Sequence, residues 1–282
     1  MFDCHIHMRT LESDRGLFEQ RLQDSGITHA MIFSLPPHGF SRKYPVCTNH
    51  ERLELLMDFC SGKEHLYPFY WINPLEPNAA EQVSAALAAG VSGFKIICSD
   101  FFPSHAAAME IYKLIACNNK PVLFHTGILW DGKVSSKFCH PIEYECLLEV
   151  PQLRFTLAHV SWPWFDTAIA VYGKFLNAQI TGNASCEMFI DTTPGTPEIY
   201  RREVLTKLYT IGYDIFDNIL FGSDSNTANY NVEWVRQWTS LDRRILTDLN
   251  IDKMLQDKYL TENALRFIKG QKSNKNIPIA GV

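Results

Sequence analysis

Met1-Phe2-Asp3-Cys4-His5-Ile6-His7-Met8 opens the chain as a short strand carrying two histidines. Side chains on a strand alternate faces, so His5 and His7 are expected on one side and Cys4 and Ile6 on the other. Two imidazoles on one face can bind a single small cation, and histidine is the commonest metal ligand. With ten histidines in 282 residues such a pair also arises by chance. Its weight therefore depends on whether later strands bring further ligands to the same end of the same structure.

Reading outward from that strand, the chain alternates regularly. Asp14 to Ser25 has the spacing of an amphipathic helix closed by Gly26. Thr28 to Leu35 is an apolar run stopped by Pro36-Pro37, hence a buried strand followed by a loop. Asn49 to Cys60 is helical, and Leu66 to Pro74 is strand three despite Pro68. Ala79 to Ala89 is a helix ended by Gly90, Val91 to Cys98 is strand four, and Pro103 to Asn118 is a helix with proline in its first turn. Pro121 to His125 is strand five, Glu143 to Val150 a helix, Leu153 to Val160 strand six, and Phe165 to Phe175 a helix. Ala178-Gln179-Ile180-Thr181-Gly182 is taken as strand seven, Glu198 to Ile211 as a helix, and Asn218 to Asp224 as strand eight. Val232 to Leu249 and Asn263 to Ile268 close the sequence with helices, and a polar tail over 270–282 looks loosely held.

Strands alternating with helices imply parallel βαβ units, and eight of them in a chain somewhat over ~250 residues fit a single-domain (β/α)₈ barrel over 1–269. The rival, an open doubly wound sheet, calls for a Gly-rich phosphate turn after an early strand, and none is present. An apolar content of 46%, a charged content of 20% and a net charge of -5 suit an ordinary globular protein and argue against a general nucleic-acid binder. No apolar run is long enough to cross a bilayer, so no membrane partner is expected. Ligand candidates begin at His5, which leaves no room for a removable leader and points to the cytoplasm. The eight cysteines are scattered without a Cys-x-x-Cys and read as buried free thiols of a reducing compartment.

Barrel enzymes build their active sites at the C-terminal ends of the strands. His5 and His7 end strand one, His125 strand five, His159 strand six and Asp224 strand eight. Lys95 lies inside strand four on the face of Gly93 and Ile97, an odd place for a lysine without a purpose. Each residue has a plainer reading as well: a hydrogen-bonded core histidine, an aspartate capping a turn, a structural salt-bridge lysine. Those readings do not explain why four histidines and one aspartate fall at one end of four different strands.

The set resembles the amidohydrolase superfamily, in particular its amidohydrolase-related group, which includes aminocarboxymuconate-semialdehyde-type and resorcylate-type decarboxylases. The resemblance rests on Asp3-Cys4-His5-Ile6-His7, Ile72-Asn73-Pro74, Gly93-Phe94-Lys95, Phe124-His125-Thr126-Gly127, Ala158-His159, Gly222-Ser223-Asp224 and Glu262-Asn263-Ala264-Leu265-Arg266. It implies that His5, His7, His125 and Asp224 hold a divalent metal, zinc foremost, and that His159 orients substrate or water. One ion is expected with Lys95 a free amine, and two if Lys95 is carboxylated. The implied activity is attack of metal-activated water on a C–N or C–O bond, an amide or a lactone, of a small carboxylated substrate. Asp224 would take the proton, His159 would stabilise the oxyanion, and a cationic Lys95 would meet the substrate's anionic group. Arg9, Asn73, Trp130 and Trp162, with His38 and Trp164, are candidates to line the pocket. The alternatives are a nonoxidative decarboxylase of the same superfamily and a non-catalytic barrel that keeps the metal as a structural or sensory element. Nucleic-acid substrates are disfavoured, because deoxyribonucleases of the superfamily carry an acidic residue where this chain has Lys95. Relatives are often homodimers, and the resemblance extends that expectation to this chain.

Overall fold

Short apolar runs become strands here because both of their faces can be buried, one against helices and the other against the barrel interior. They are β1 (Phe2–His7), β2 (His29–Phe33), β3 (Leu66–Trp71), β4 (Gly93–Ile96), β5 (Val122–Phe124), β6 (Arg154–Leu157), β7 (Glu187–Asp191), β8 (Ile219–Leu220) and β9 (Ser225–Asn226). The computed structural model describes residues 1–40 and 44–270; the tail expected over 270–282 therefore lies, beyond Gly270, outside the described residues. All pairings are parallel and neighbours follow one another in chain order. Strand eight is split: β8 pairs with β7 (Asp191↔Leu220), while β9 pairs with β1 (His7↔Asn226). Between the two pieces, the Cys4 N–H donates to Phe221 O at 3.0 Å. The ring is thereby closed as a (β/α)₈ barrel.

The main helices of the outer ring are α1 (Arg15–Asp24), α2 (Asn49–Cys60), α3 (Ala79–Ala89), α4 (Ala106–Cys117), α5 (Phe165–Ile180), α6 (Glu198–Thr210) and α7 (Val232–Asp248), followed by α8 (Lys253–Asp257) and α9 (Asn263–Lys269). The helix expected over 143–150 is a 3₁₀ stretch, Pro141–Glu149. Ile6, Ile32, Phe94, Ile96, Phe124, Leu157 and Ile190 point outward into the helix layer. Phe2, Cys4, Met31, Phe33, Phe69, Leu123, Phe189 and Leu220 fill the interior, and α9 closes its floor with Ala264 and Phe267.

Two expectations are corrected. The seventh strand is not 178–182: α5 continues through Ile180, Gly182 takes a left-handed φ of 72° beyond it, and the strand is Glu187–Asp191. Ala178 and Gln179 favour helix, and the turn at Gly182 ends it, so the short apolar stretch never leaves the helix. Nor does β1 alternate strictly. Asp3 pairs with Ala30 but Ile6 with Ile32, so β1 carries one extra residue, a bulge, between them. Cys4 consequently packs inside with Phe2 while Ile6 faces the helices, and His5 is turned inward beside Cys4.

All eight cysteines are free thiols, six of them buried. No helix among the described residues is long and apolar enough to cross a membrane.

The floor is testable. Phe267 is fully buried, with ring centroids 5.0 Å from Phe189 and 6.4 Å from Phe69. Phe267→Ala should lower stability by about 3–5 kcal/mol in a denaturant titration, far more than a truncation at exposed Ile199.

Candidate metal centre

β1 delivers His5 and His7 to the mouth, and the turn between β8 and β9 delivers Asp224 in a left-handed conformation, φ 57°. Asp224 Oδ1 lies 3.4 Å from His7 Nε2 and 3.8 Å from His5 Nε2. One donor atom from each of the three residues falls within 4.8 Å of the others, a span one cation can bridge. His159 stands next to this triplet, its ring centroid 5.1 Å from that of His5 and 5.0 Å from that of His125. His125 is thus at the mouth but outside the tight triplet. Its Nε2 is buried and has no hydrogen-bond partner among the described residues.

Burial pushes His5, His7 and His125 below the usual imidazole range, and the Lys95 charge pushes each the same way. They are therefore neutral near pH 7, the form that binds metal. Burial opposes ionisation of Asp224, but its hydrogen bond to His7 and the imidazoles around it hold the carboxyl well below the ordinary range. Three neutral nitrogens and a carboxylate form a donor set suited to zinc or a similar divalent ion. Buried polar atoms lacking partners among the described residues, His7 Nδ1, His125 Nε2 and Lys95 Nζ, fit a site built around an added group.

His5 is oriented from behind. Its Nδ1 is 2.7 Å from Asp191 Oδ2, so a proton held there turns the Nε2 lone pair toward Asp224. Asp191 is held in turn by the Thr193 N–H at 2.6 Å and by the Thr193 hydroxyl. The backbone at Gly222 passes so close that an added Cβ would lie 2.7 Å from His5 Cβ, which explains a glycine two residues before Asp224. Gly195 approaches His159 equally closely, at 2.8 Å from its Cγ. His159 does not end a strand, as expected, but stands two residues beyond β6 at φ 60°, in a left-handed run continued by Val160 and Ser161. Its Nδ1 lies 3.3 Å from Thr193 O.

Lys95 is fully buried on the inner face of β4, with Nζ 5.2 Å from the centre of the Phe33 ring. Burial lowers its amine to about 8, although Asp191 and Asp224 pull the other way. Thr156, level with Lys95 across Leu123, also has an unpartnered buried hydroxyl among the described residues. Trp71 flanks His7 at 5.7 Å, and Phe40 packs edge-on against Trp71. Beside them is a cavity of about 170 Å³ bordered by His38, Asn73, Ser99, Asp100 and Lys133.

Residues 2–269 match the family described as Amidohydrolase. The chain belongs to that family. It is accordingly an enzyme of the amidohydrolase superfamily, whose members are generally dependent on a divalent metal. No curated protein sequence matches it. Among solved structures, it is similar to a probable 2-pyrone-4,6-dicarboxylic acid hydrolase from Acinetobacter baumannii, at 13% identity and a TM-score of 0.62, covering 95% of this chain and 98% of that one. The 2,6-dihydroxybenzoate decarboxylase from Rhizobium gives 14% and 0.65 over 95% and 98%. Dihydroorotase from Campylobacter jejuni gives 13% and 0.57 over 97% and 84%. At such identities the likeness is one of fold.

Of the expected pocket residues, Asn73 and His38 border the cavity. Arg9 is exposed just beyond β1, where its charge reaches His7. Trp130, 78% exposed, stacks on Trp162 at 6.5 Å, and Trp162 meets Tyr200. The ring partners of these two tryptophans are therefore each other and Tyr200, while Trp164 packs on His140. Asp191 lies outside the expected seventh strand, 178–182, and so is not among the expected site residues. Glu187-Met188-Phe189-Ile190-Asp191, an apolar run ending in a carboxylate before Thr192-Thr193-Pro194, was the available signal.

His5→Ala combined with His7→Ala should abolish divalent-metal uptake, measured by elemental analysis, with the far-ultraviolet circular dichroism retained. Asp191→Asn should weaken metal affinity about 10–100-fold, and unchanged affinity would remove Asp191 from the site.

Proposed function

We propose that this enzyme hydrolyses an amide or lactone bond in a small carboxylated molecule, using one divalent ion, zinc foremost, held by His5, His7, Asp224 and His125. The observation that carries this reading is the triplet of His5, His7 and Asp224 within 4.8 Å at the mouth of a closed barrel, with a fully buried lysine, Lys95, that has no partner among the described residues. A divalent ion held there supplies Lewis acidity, polarising a carbonyl and easing deprotonation of water. Asp224 is kept ionised and can accept the proton that water gives up as its oxygen attacks the carbonyl carbon. His159, close to both His5 and His125, is placed to donate to the carbonyl oxygen as negative charge develops there. Asp224 can return its proton to the leaving nitrogen or oxygen as the bond breaks. Lys95, as a cation, offers the only described unpartnered buried ammonium to the substrate carboxylate, and the Phe33 and Trp71 rings exclude water around it.

A second reading, nonoxidative decarboxylation, draws on the same lysine set against aromatic walls, a setting that suits a planar carboxylated ring. There His159 would protonate the ring carbon that loses carbon dioxide. The likeness to the 2,6-dihydroxybenzoate decarboxylase is in keeping with it, as that to the 2-pyrone-4,6-dicarboxylic acid hydrolase is with the first. Turnover in ¹⁸O-labelled water separates them: hydrolysis puts the label into the product acid, whereas decarboxylation releases carbon dioxide and leaves the product unlabelled.

His159→Asn should keep the metal and lower kcat ~10²–10³-fold, about 3–4 kcal/mol of transition-state stabilisation. Metal loss in that variant would make His159 a ligand and overturn the one-ion reading. Lys95→Met should raise KM with metal content intact; a fall from two ions per chain to one or none would instead reveal a carboxylated Lys95. A protonated Lys95 persists below its value of about 8 and is lost above it. KM for the anionic substrate should accordingly rise above that pH in the wild type and stay flat in Lys95→Met.

A further inference from the structure

Asp3 is a fully buried carboxylate in β1 that faces none of the metal-binding atoms, and its described hydrogen-bond donors are all neutral. Its Oδ1 accepts the N–H of His5 at 3.1 Å and the N–H of Ser223 at 2.9 Å. Its Oδ2 accepts the Tyr230 hydroxyl at 2.7 Å. These partners are informative because of where they lie. The bulge falls between Asp3 and Ile6, where the ladder to β2 loses its register. The Cys4 N–H there is taken by Phe221 O, whereas the His5 N–H turns to the Asp3 side chain. A buried backbone donor must find an acceptor, so the Asp3 carboxylate is what makes the bulged conformation at His5 tolerable.

The second bond reaches the other half of the centre. Ser223 immediately precedes Asp224, whose left-handed φ of 57° aims its carboxylate at His7. The turn is held from its far side too, by Trp234 Nε1–H donating to Ser223 O at 2.9 Å. One oxygen of Asp3 thus touches the backbone of two segments that are far apart in sequence and that each present a ligand. Tyr230, itself buried and packed edge-on against Phe18 of α1 at 5.5 Å, fixes the rotation of that carboxylate.

We infer that Asp3 is a positioning residue for the metal centre: its carboxylate stabilises the bulge that turns His5 inward and ties it to the turn that presents Asp224. This rests on the metal reading of the site. A carboxylate that merely strengthened the barrel would lower stability and leave the zinc affinity of the folded chain alone. A positioning group lowers the affinity of a chain that is still folded, and a side chain that keeps the accepting oxygen restores it.

The test is zinc titration of the metal-stripped full-length chain against a competing chelator, with circular dichroism and thermal melting confirming that each variant is folded at the working temperature. Asp3→Asn keeps an oxygen able to accept from His5 and Ser223, and its zinc affinity should stay close to wild type. Asp3→Ala should bind zinc about 10–100-fold more weakly while folded. If Asp3→Ala does not fold, Tyr230→Phe decides. Freeing the carboxylate should weaken zinc binding severalfold and speed hydrogen exchange of the peptide spanning Phe2–Met8. Wild-type affinity in folded Asp3→Ala, equal losses in the Asn and Ala variants, or a Tyr230→Phe chain unchanged in both measurements would overturn the inference. A wild-type chain that takes up no zinc would instead overturn the metal reading itself.

Discussion

Closure of the ring between β1 and the split eighth strand is the constraint on which the rest of the structure depends. An open sheet would leave the edges of β1 and β8 unpaired, and the two sides of the proposed centre would not meet. With β8 pairing to β7 and β9 to β1, Phe221 to Asp224 must bend across the gap. That bend sets Asp224 opposite His5 and His7 in a conformation that non-glycine residues seldom adopt. Gly222 lets the bend pass close to His5, where any side chain would collide.

The remaining architecture divides the labour between two kinds of interior. Below, aromatic and aliphatic side chains from β1, β2, β3, β5, β7 and α9 make a dry packed floor. Above, the inner face turns abruptly polar, with Lys95, Thr156, Asp191 and the histidines all buried. Such a layer is costly unless its members are paired or serve a bound group. Asp191 meets the requirement through His5 and Thr193, while Lys95 and Thr156 find no partner among the described residues. Farther out, the buried Arg201–Asp242 pair joins α6 to α7, and Arg201 also donates to Thr192 O, next to Asp191. The helix layer thereby steadies the segment that orients His5.

Much of this was legible because period and chemistry agreed. Apolar runs alternating with helical spacing gave the barrel, and the clustering of histidines at strand ends gave its functional mouth. The failures have specific causes. Ala178 to Gly182 offers only five residues, too few to tell a strand from the last turn of a helix that begins at Phe165. Displacing strand seven removed Asp191 from view. The bulge in β1 leaves no mark in the pattern, since alternation and a one-residue insertion both put His5 and His7 inward and differ only over the residues before His5, Phe2 and Cys4 among them. The left-handed run at His159, Val160 and Ser161 is likewise silent in sequence, because the β-branched Val160 at its centre argues against positive φ.

The bond between Asp3 and Ser223 spans 220 positions of the chain. During synthesis the first strand emerges long before its final partner has been made, and α9, which seals the floor, emerges later still. For most of translation, therefore, the nascent polypeptide carries two adjacent histidines with no Asp224 to complete their cage and no closed cylinder to shelter them. Contacts of such long range make for slow folding. Interrupted translation products would lack the finished pocket altogether.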